Sequence, residues 1–418
     1  MFRRRDARVS MVVAALALTV ELCFPSVPVR AQARPRLLIL DGEYLRAAKD
    51  QVRIADSILS APFKRLMSDA DTALSAGPFT VTHKNLLPPS HDKHDYMSLA
   101  PYWWPNPHTS TGLPYVRRDG QVNPERDQTS DRKRLDNLIR SVNTLALAYF
   151  FTEKETYAER ASTLIRVWFL DAATRMNPQL KYAQAVPGRN IGRGAGIIET
   201  HDLPGLLDSV VLLNGSKSWA SSDQKRLQSW FDAYLAWLLE SPEGKAEAKA
   251  ENNHGTWYDV QVAAFAVFAA REELAKEVLR EFPTKRIARQ IDPDGRQPRE
   301  LARTQAWHYA LFNLDAMFTA ASIADKLGLD LWHDKTQSQP NIHKALDWLL
   351  PFAVGETKWP YPQIADFQPE NLAPLLRRAA IQYRQPAYDK ALDRLPKITR
   401  NERWRLLYPK TLPGKTVE

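Results

Sequence analysis

Two short runs set an imidazole and a phenol beside groups that could tune them for proton transfer. In Glu251-Asn252-Asn253-His254-Gly255-Thr256-Trp257-Tyr258, Asn253 is placed to cap a helix that begins there. His254 then lies in the first helical turn, where the helix dipole disfavours an imidazolium. A neutral imidazole can act as a base or a hydrogen-bond partner near pH 7. Tyr258 sits four residues on, along the same helical face. In Glu300-Leu301-Ala302-Arg303-Thr304-Gln305-Ala306-Trp307-His308-Tyr309, an arginine near a tyrosine would stabilise a phenolate and lower its pKa from about 10. On a straight helix, six residues set Arg303 and Tyr309 about 120° apart. Contact therefore requires a bend, or a helix that starts late.

Two further runs suit ligand binding rather than proton transfer. Tyr182-Ala183-Gln184-Ala185-Val186-Pro187-Gly188-Arg189-Asn190-Ile191-Gly192-Arg193-Gly194 carries three glycines, which let a backbone approach a ligand closely. Arg189, Asn190 and Arg193 could grip a carboxylate, and Gln184 is a further candidate contact. The spacing is not a dinucleotide fingerprint, and no strand precedes it. The run from His91 to Pro105 holds Tyr96, Tyr102 and the adjacent pair Trp103-Trp104 between prolines. Aromatic faces there could bind the C–H face of a sugar ring; the plainer alternative is that they plug the ends of a helical core. Its HDKHD stretch matches no firm metal-ligand spacing, so no metal or cofactor is expected.

The elements that must position these runs read as helices. Apolar residues recur at helical spacing over 131–151, 154–170, 203–213, 222–241, 255–280, 300–327, 341–354 and 371–393, with Ser130 as a plausible cap for the first. Strand-like alternation is scarce. Successive helices with short loops suggest stacked antiparallel hairpins, and an all-α toroid of helix pairs is the architecture expected. Long polar-aromatic loops at 80–126, 172–200 and 281–299 would line a cleft. No Gly/Ser tract or charge run marks a linker, so residues 34–418 read as one domain with its core at about 80–355.

The N-terminus has the three parts of a secretory signal: Arg3, Arg4, Arg5 and Arg8, then an apolar run from Met11 to Val20, then Ala31-Gln32-Ala33. Cleavage is expected after Ala33, leaving a protein without stable membrane insertion. The apolar run is short of the about 20 residues a membrane span needs. The one cysteine, Cys23, would leave with the leader, excluding disulfides and a cysteine nucleophile from the mature chain. Export without disulfides fits a Gram-negative periplasm or secretion. The net charge of +9 falls to +6 once Arg3, Arg4, Arg5, Arg8, Arg30, Asp6 and Glu21 are removed. A basic exported protein is suited to an acidic glycan rather than to nucleic acid, with electrostatic steering toward a basic cleft.

These runs together resemble the alginate lyase superfamily, spanning polysaccharide lyase families five and thirty-eight. The resemblance covers about residues 80–355. It rests on HDYMSLAPYWWPNP and GLPYVRRDGQVNPE, on WFLDAATRMNPQLKYAQAVPGRNIGRGAGIIET, on AENNHGTWYDVQ, and on IDPDGRQPRELART with FNLDAM beyond. It is closer to the glucuronan- and mannuronan-cleaving branch. The resemblance implies an α/α toroid with an open cleft and metal-independent β-elimination on an anionic uronic-acid polymer. By motif, Asn253 and His254 match the family's Asn-His pair, and Arg303 and Tyr309 its Arg…Tyr pair. Asn190 resembles the carboxylate-neutralising Asn of family thirty-eight. Family five spaces the Arg…Tyr pair one residue wider, which keeps His308 as the alternative to Tyr309. Tyr258, Tyr96, Trp103, Trp104, Gln184 and Arg189 are the remaining expected substrate contacts.

Two rival readings remain at this level. A glycoside hydrolase would need a pair of carboxylates about 5–10 Å apart, for which Asp95, Glu251, Asp259 and Glu300 are available. A non-catalytic binding protein would keep the aromatic cleft alone.

Overall fold

Helix-forming stripes account for most of the chain. The computed structural model describes Met1 and residues 36–54, 58–129, 131–333, 340–396 and 402–410. The Ser130 cap and residues 2–33 of the expected leader lie outside the described residues. After α1 (Gly42–Gln51) and α2 (Ser60–Ala73), α3 (Asp131–Thr152) buries Leu135, Leu138, Ile139, Val142 and Leu145 along one side. A short turn returns the chain antiparallel into α4 (Glu155–Ile165). The hairpin pattern continues through α5 (Leu203–Leu212), α6 (Ser221–Glu240), α7 (Pro242–Ala248), α8 (Asn253–Phe268) and α9 (Glu272–Phe282). Two short pieces, α10 (Ala288–Gln290) and α11 (Pro298–Leu301), lead to the long α12 (Ala306–Lys326). Helices α13 (Ile342–Ala353), α14 (Ala373–Tyr383), α15 (Pro386–Arg394) and α16 (Trp404–Leu407) complete the described chain. Helix α3 packs on α4 and α5, while α8 packs on α6, α9 and α12. This is the all-α toroid of helix pairs expected from the sequence.

Three expected helices are each broken in two. The 255–280 segment stops at Ala270, which takes a left-handed φ of 60°. The 371–393 segment breaks at Arg384 (φ 52°), just before Pro386. The 300–327 segment breaks between Leu301 and Ala306, which matters for the site. Apolar periodicity runs through such breaks, because the flanking residues bury the same face.

The long loops carry the only strands among the described residues. β1 (Met97–Leu99) pairs in parallel with β4 (Tyr182–Ala185), and between them β2 (Trp103–Trp104) pairs antiparallel with β3 (Val116–Arg117). No described helix is long and apolar enough to cross a membrane.

A buried ion pair ties the first loop to the helices. Lys84 Nζ donates to Asp131 Oδ2 at 2.5 Å, and both side chains are almost fully buried. Asp131 also accepts from Met97 N, and Lys84 also donates to the Asp95 carbonyl. Burial pushes the Lys84 ammonium down and the Asp131 carboxyl up, with each partner opposing the other's shift. Lys84→Met leaves a buried carboxylate without its cation and is expected to cost about 3–5 kcal/mol in urea unfolding. A loss below about 1 kcal/mol would show that the pair does not hold this loop.

Candidate active site

Helix α8 starts where three groups pull the chain tight. Arg286, itself buried, donates to the carbonyls of Ala248 and Ala250 and pairs with Asp259 Oδ2 at 2.7 Å. A Cβ on Gly255 would stand 2.0 Å from the Ala250 oxygen and 2.2 Å from the Arg286 guanidinium, so only glycine fits. Glu300 closes the arrangement by accepting from both Asn253 N and Asn253 Nδ2, at 2.7 Å each. Asn253 is therefore not the cap, a place taken by extended Asn252. It is 1% exposed, with its amide NH2 spent on Glu300, so it anchors α8 to α11 rather than facing substrate. Burial pushes the Glu300 carboxyl up, against Asn253, Arg303 and His254.

His254 keeps 25% of its side chain exposed. Its Nδ1 lies 2.6 Å from Oε1 of buried Glu247, at the end of α7. A carboxylate accepting from Nδ1–H favours the tautomer with its proton there and leaves Nε2 as the acceptor of the neutral ring. Tyr258, expected on the same face, is buried and donates to the Leu238 carbonyl at 2.8 Å. Its place is in the α6–α8 contact, not in a binding surface.

Arg303 meets Tyr309 because the helix starts late. Residues 302–305 form a turn, α12 begins at Ala306, and the Arg303 guanidinium lies 3.7 Å from the Tyr309 ring centroid. Asp119, from the loop after β3, holds that guanidinium from its edge at 3.0 and 2.8 Å. Burial opposes ionisation of Asp119, but Arg303 overcomes it and holds the carboxyl down at about 2. Thr304 Oγ1 donates to Asp119 O, and Gln305 Nε2 to Gly120 O, so loop and turn move as one piece. The Tyr309 hydroxyl donates to the Tyr102 hydroxyl at 2.7 Å. Burial pushes the Tyr309 phenol above its ordinary value, Tyr102 adds to this, and Arg303 pulls against both.

His308 points outward beside Tyr309 and parallel to Phe312, with centroids 6.0 Å apart. Burial and Arg303 keep it below its ordinary value. Trp257 of α8 packs on Phe312 of α12 at 5.3 Å. The first turns of the two helices thus lie at the same end, and both His254 and Arg303 act on Glu300.

The glycine-rich run forms the adjoining wall. Gln184, in a left-handed conformation (φ 50°), is buried, and its Oε1 accepts from Arg193 Nη2 at 2.6 Å. It orients Arg193 rather than offering itself. Arg189 and Arg193 lie 5.1 and 6.0 Å from the Trp103 ring, and Arg118 lies 5.2 Å from Trp104. Each indole carries a guanidinium, so this surface is cationic as well as aromatic. Asn190 is exposed, and its Oδ1 accepts from Val186 N, closing the turn. Tyr96 does not reach the surface: it is fully buried and donates to Glu199 at 2.7 Å.

The carboxylates available to a hydrolase are committed elsewhere. Asp95 accepts from Ser90, Asn177 and Gln179; Asp259 pairs with Arg286; Glu251 pairs with Arg299; Glu300 holds Asn253. In the HDKHD stretch, His94 Nδ1 faces the Arg175 carbonyl, and no group of three or more potential ligands forms among the described residues.

The alginate lyase family model matches residues 80–359. An alginate lyase structure from Bacteroides ovatus superposes with a TM-score of 0.87 at 39% identity, over 90% of this chain and 100% of that one. The chain belongs to the alginate lyase family. It is a polysaccharide lyase. Alginate lyase A1-III has the same fold at 14% identity and a TM-score of 0.58, over 91% of this chain and 99% of that one. That neighbour was solved as a His-to-Ala variant complexed with tetrasaccharide. A Tyr-to-Phe variant of A1-III, also with tetrasaccharide, superposes at 0.57 and 15% identity, over 90% and 97% of the two chains. Among curated proteins no relative matches.

Sequence reasoning gave no role to Asp119 or Glu247, placed Tyr102 only among the loop aromatics, and offered Glu300 only as a carboxylate for a hydrolase. Glu247 lies seven residues before His254 across a helix end, and Asp119 is 184 positions from Arg303. Glu300, three residues before Arg303, and Tyr102, beside Trp103, lie within runs that the sequence singles out. Glu247→Gln removes the charge that fixes the His254 tautomer. It is expected to lower kcat for polymer cleavage at least about tenfold with little change in KM. Unchanged kcat would separate Glu247 from the chemistry.

Proposed function

We propose that this lyase cleaves a uronic-acid polymer (polymannuronate, alginate or glucuronan) by metal-independent β-elimination, with Tyr309 as acid and base. The observation that carries the reading is the Arg303 guanidinium lying on the Tyr309 ring while Asp119 holds its edge. A uronate C5 proton is poorly acidic while the neighbouring carboxylate is charged. Arg189, Asn190 and Arg193 neutralise that carboxylate, and so stabilise the enolate-like dianion as it develops. The Tyr309 phenolate removes the C5 proton, the C4–O4 bond breaks, and the phenol returns the proton to O4.

In mannuronate and glucuronate both groups lie on one side of the ring, within reach of one tyrosine. Guluronate presents them on opposite faces, where His254 serves as the second base through Nε2. The guanidinium-covered Trp103 and Trp104 suit a polymer that alternates apolar ring faces with carboxylates. In this reading residues 1–33 direct export, and the substrate is met in the periplasm or outside the cell.

The test is a set of purified uronic-acid polymers assayed, with chelator present, for the ultraviolet absorbance of a new C4=C5 double bond. Wild-type protein should generate it on at least one polymer. Tyr309→Phe should lower the rate by about 10²–10⁴-fold while polymer binding persists. Near-wild-type turnover by that variant would remove Tyr309 from its role.

A further inference from the structure

We propose that a cavity at the far end of α12 is a second carbohydrate site, which takes a single uronate residue such as the end of a chain that the lyase releases. The ligand's class rests on the proposed function, but none of the lining residues belongs to the cleft. Ser322, Asp325 and Lys326, on the last turns of α12, line the cavity. They follow Tyr309 by 13 to 17 residues, which at a rise of about 1.5 Å per residue sets the cavity roughly 20–25 Å along the helix from the phenol. Its volume is about 300 Å³, room for a small ligand.

The walls are tied down by other contacts. The chain leading into α1 is strapped to α5, where buried Asp208 accepts from Leu38 N at 2.5 Å, Ile39 N at 3.0 Å and Leu40 N at 2.7 Å. Asp41 caps α1 by accepting from Glu43 N at 2.7 Å. Trp332 is fixed through its indole N–H, which donates to Asp325 Oδ2 at 2.7 Å. Arg377 of α14 donates to the carbonyls of Tyr408 at 2.9 Å and Pro409 at 2.7 Å. Arg378, 8% exposed, spends its guanidinium on Asp315 at 2.8 Å and Ser322 Oγ at 3.2 Å. A cavity held in this way is preformed, and a ligand does not have to order it.

The groups left over inside suit a sugar. The hydroxyls of Tyr44 and Tyr408 and the amide of Gln382 make no hydrogen bond among the described residues. Burial pushes both phenols up, against Arg377 for Tyr44 and Arg378 for Tyr408, so both stay protonated near neutral pH. A phenol and a carboxamide each donate and accept, as sugar hydroxyls do. The rings of Tyr44, Trp332 and Tyr408 add aromatic surface for the C–H groups of a pyranose.

The charges select one sugar over a polymer. Three cations, Lys326, Arg378 and Arg384, are matched by three carboxylates, Asp41, Glu43 and Asp325. A lining that is balanced in this way exerts little pull on a polyanion. Lys326 stands 3.6 Å from Asp41, and Arg378 pairs with Asp315 at 2.8 Å. Arg384 is exposed and forms no ion pair among the described residues. One free guanidinium matches one carboxylate.

The experiment is a calorimetric titration of the full-length protein with sodium D-glucuronate, and with D-glucose as the uncharged control. A monosaccharide has no glycosidic bond at O4, so it binds without turnover. Glucuronate should bind with a Kd on the order of 1 mM, and glucose at least about tenfold more weakly. Arg384→Gly removes the cation and keeps the left-handed backbone of φ 52°, and should weaken glucuronate to the level of glucose. Gln382→Ala should also weaken glucuronate, whereas Arg189→Ala in the cleft should leave it unchanged. No glucuronate binding up to about 10 mM, or glucose binding as tightly, would overturn the proposal. So would binding that Arg189→Ala removes and Arg384→Gly spares. If wild type cleaves no uronate polymer, the proposed function fails, and the titration still judges the cavity.

Discussion

The candidate site depends on where one guanidinium is held. Arg303 has its edge on Asp119 and its face on Tyr309. The edge contact ties the loop after β3 to the turn before α12, and the face contact fixes the phenol. A lysine could not make both contacts, because it offers a point charge and no plane. The pair is also spared full exposure to water: Arg303 and Asp119 side chains are 16% and 20% accessible. Screening there is weaker than at an open surface.

A second clasp complements the first. Glu300 spends both oxygens on Asn253, so the start of α8 is fastened to α11, immediately before the Arg303 turn. Glu247 then sets the face of His254. Three carboxylates thus position three site residues without themselves entering the proposed chemistry. The adjoining wall is built on the same logic: Gln184 steers Arg193, and Trp103 supports Arg189 and Arg193. The aromatic residues of this wall carry cations as well as apolar surface.

Most of the helical architecture could be read from periodicity, because buried positions repeat along α3, α6 and α12 wherever the chain is regular. The breaks could not. Ala270 and Arg384 take left-handed conformations at helix ends that no glycine announces, the first closed locally by Arg271 N donating back to Ala266 O. The run containing Arg303 and Tyr309 was legible as a pair, and the requirement for a late helix start was a matter of geometry. What supplies that start, the grip of Asp119 on Thr304, is a contact across 185 positions and leaves no local trace. Tyr96 and Tyr258 illustrate the converse. Their residue type and setting suggested a binding surface, but a tyrosine also serves as a buried ring with one satisfied hydroxyl, as both do here. Asn253 failed as a cap for a related reason: Asn252 already takes the extended backbone, which frees the next side chain to reach Glu300.

The most direct measurement is a crystal structure of the Tyr309→Phe protein with an oligouronate bound across the cleft. The account predicts that C5 and O4 of one sugar face the ring edge at position 309, about 3–3.5 Å from where the hydroxyl would stand. The carboxylate of that sugar should be met by the arginine and asparagine side chains of the 182–194 run. An oligosaccharide seated elsewhere, with position 309 walled off behind Arg303 and no sugar atom in reach, would contradict it.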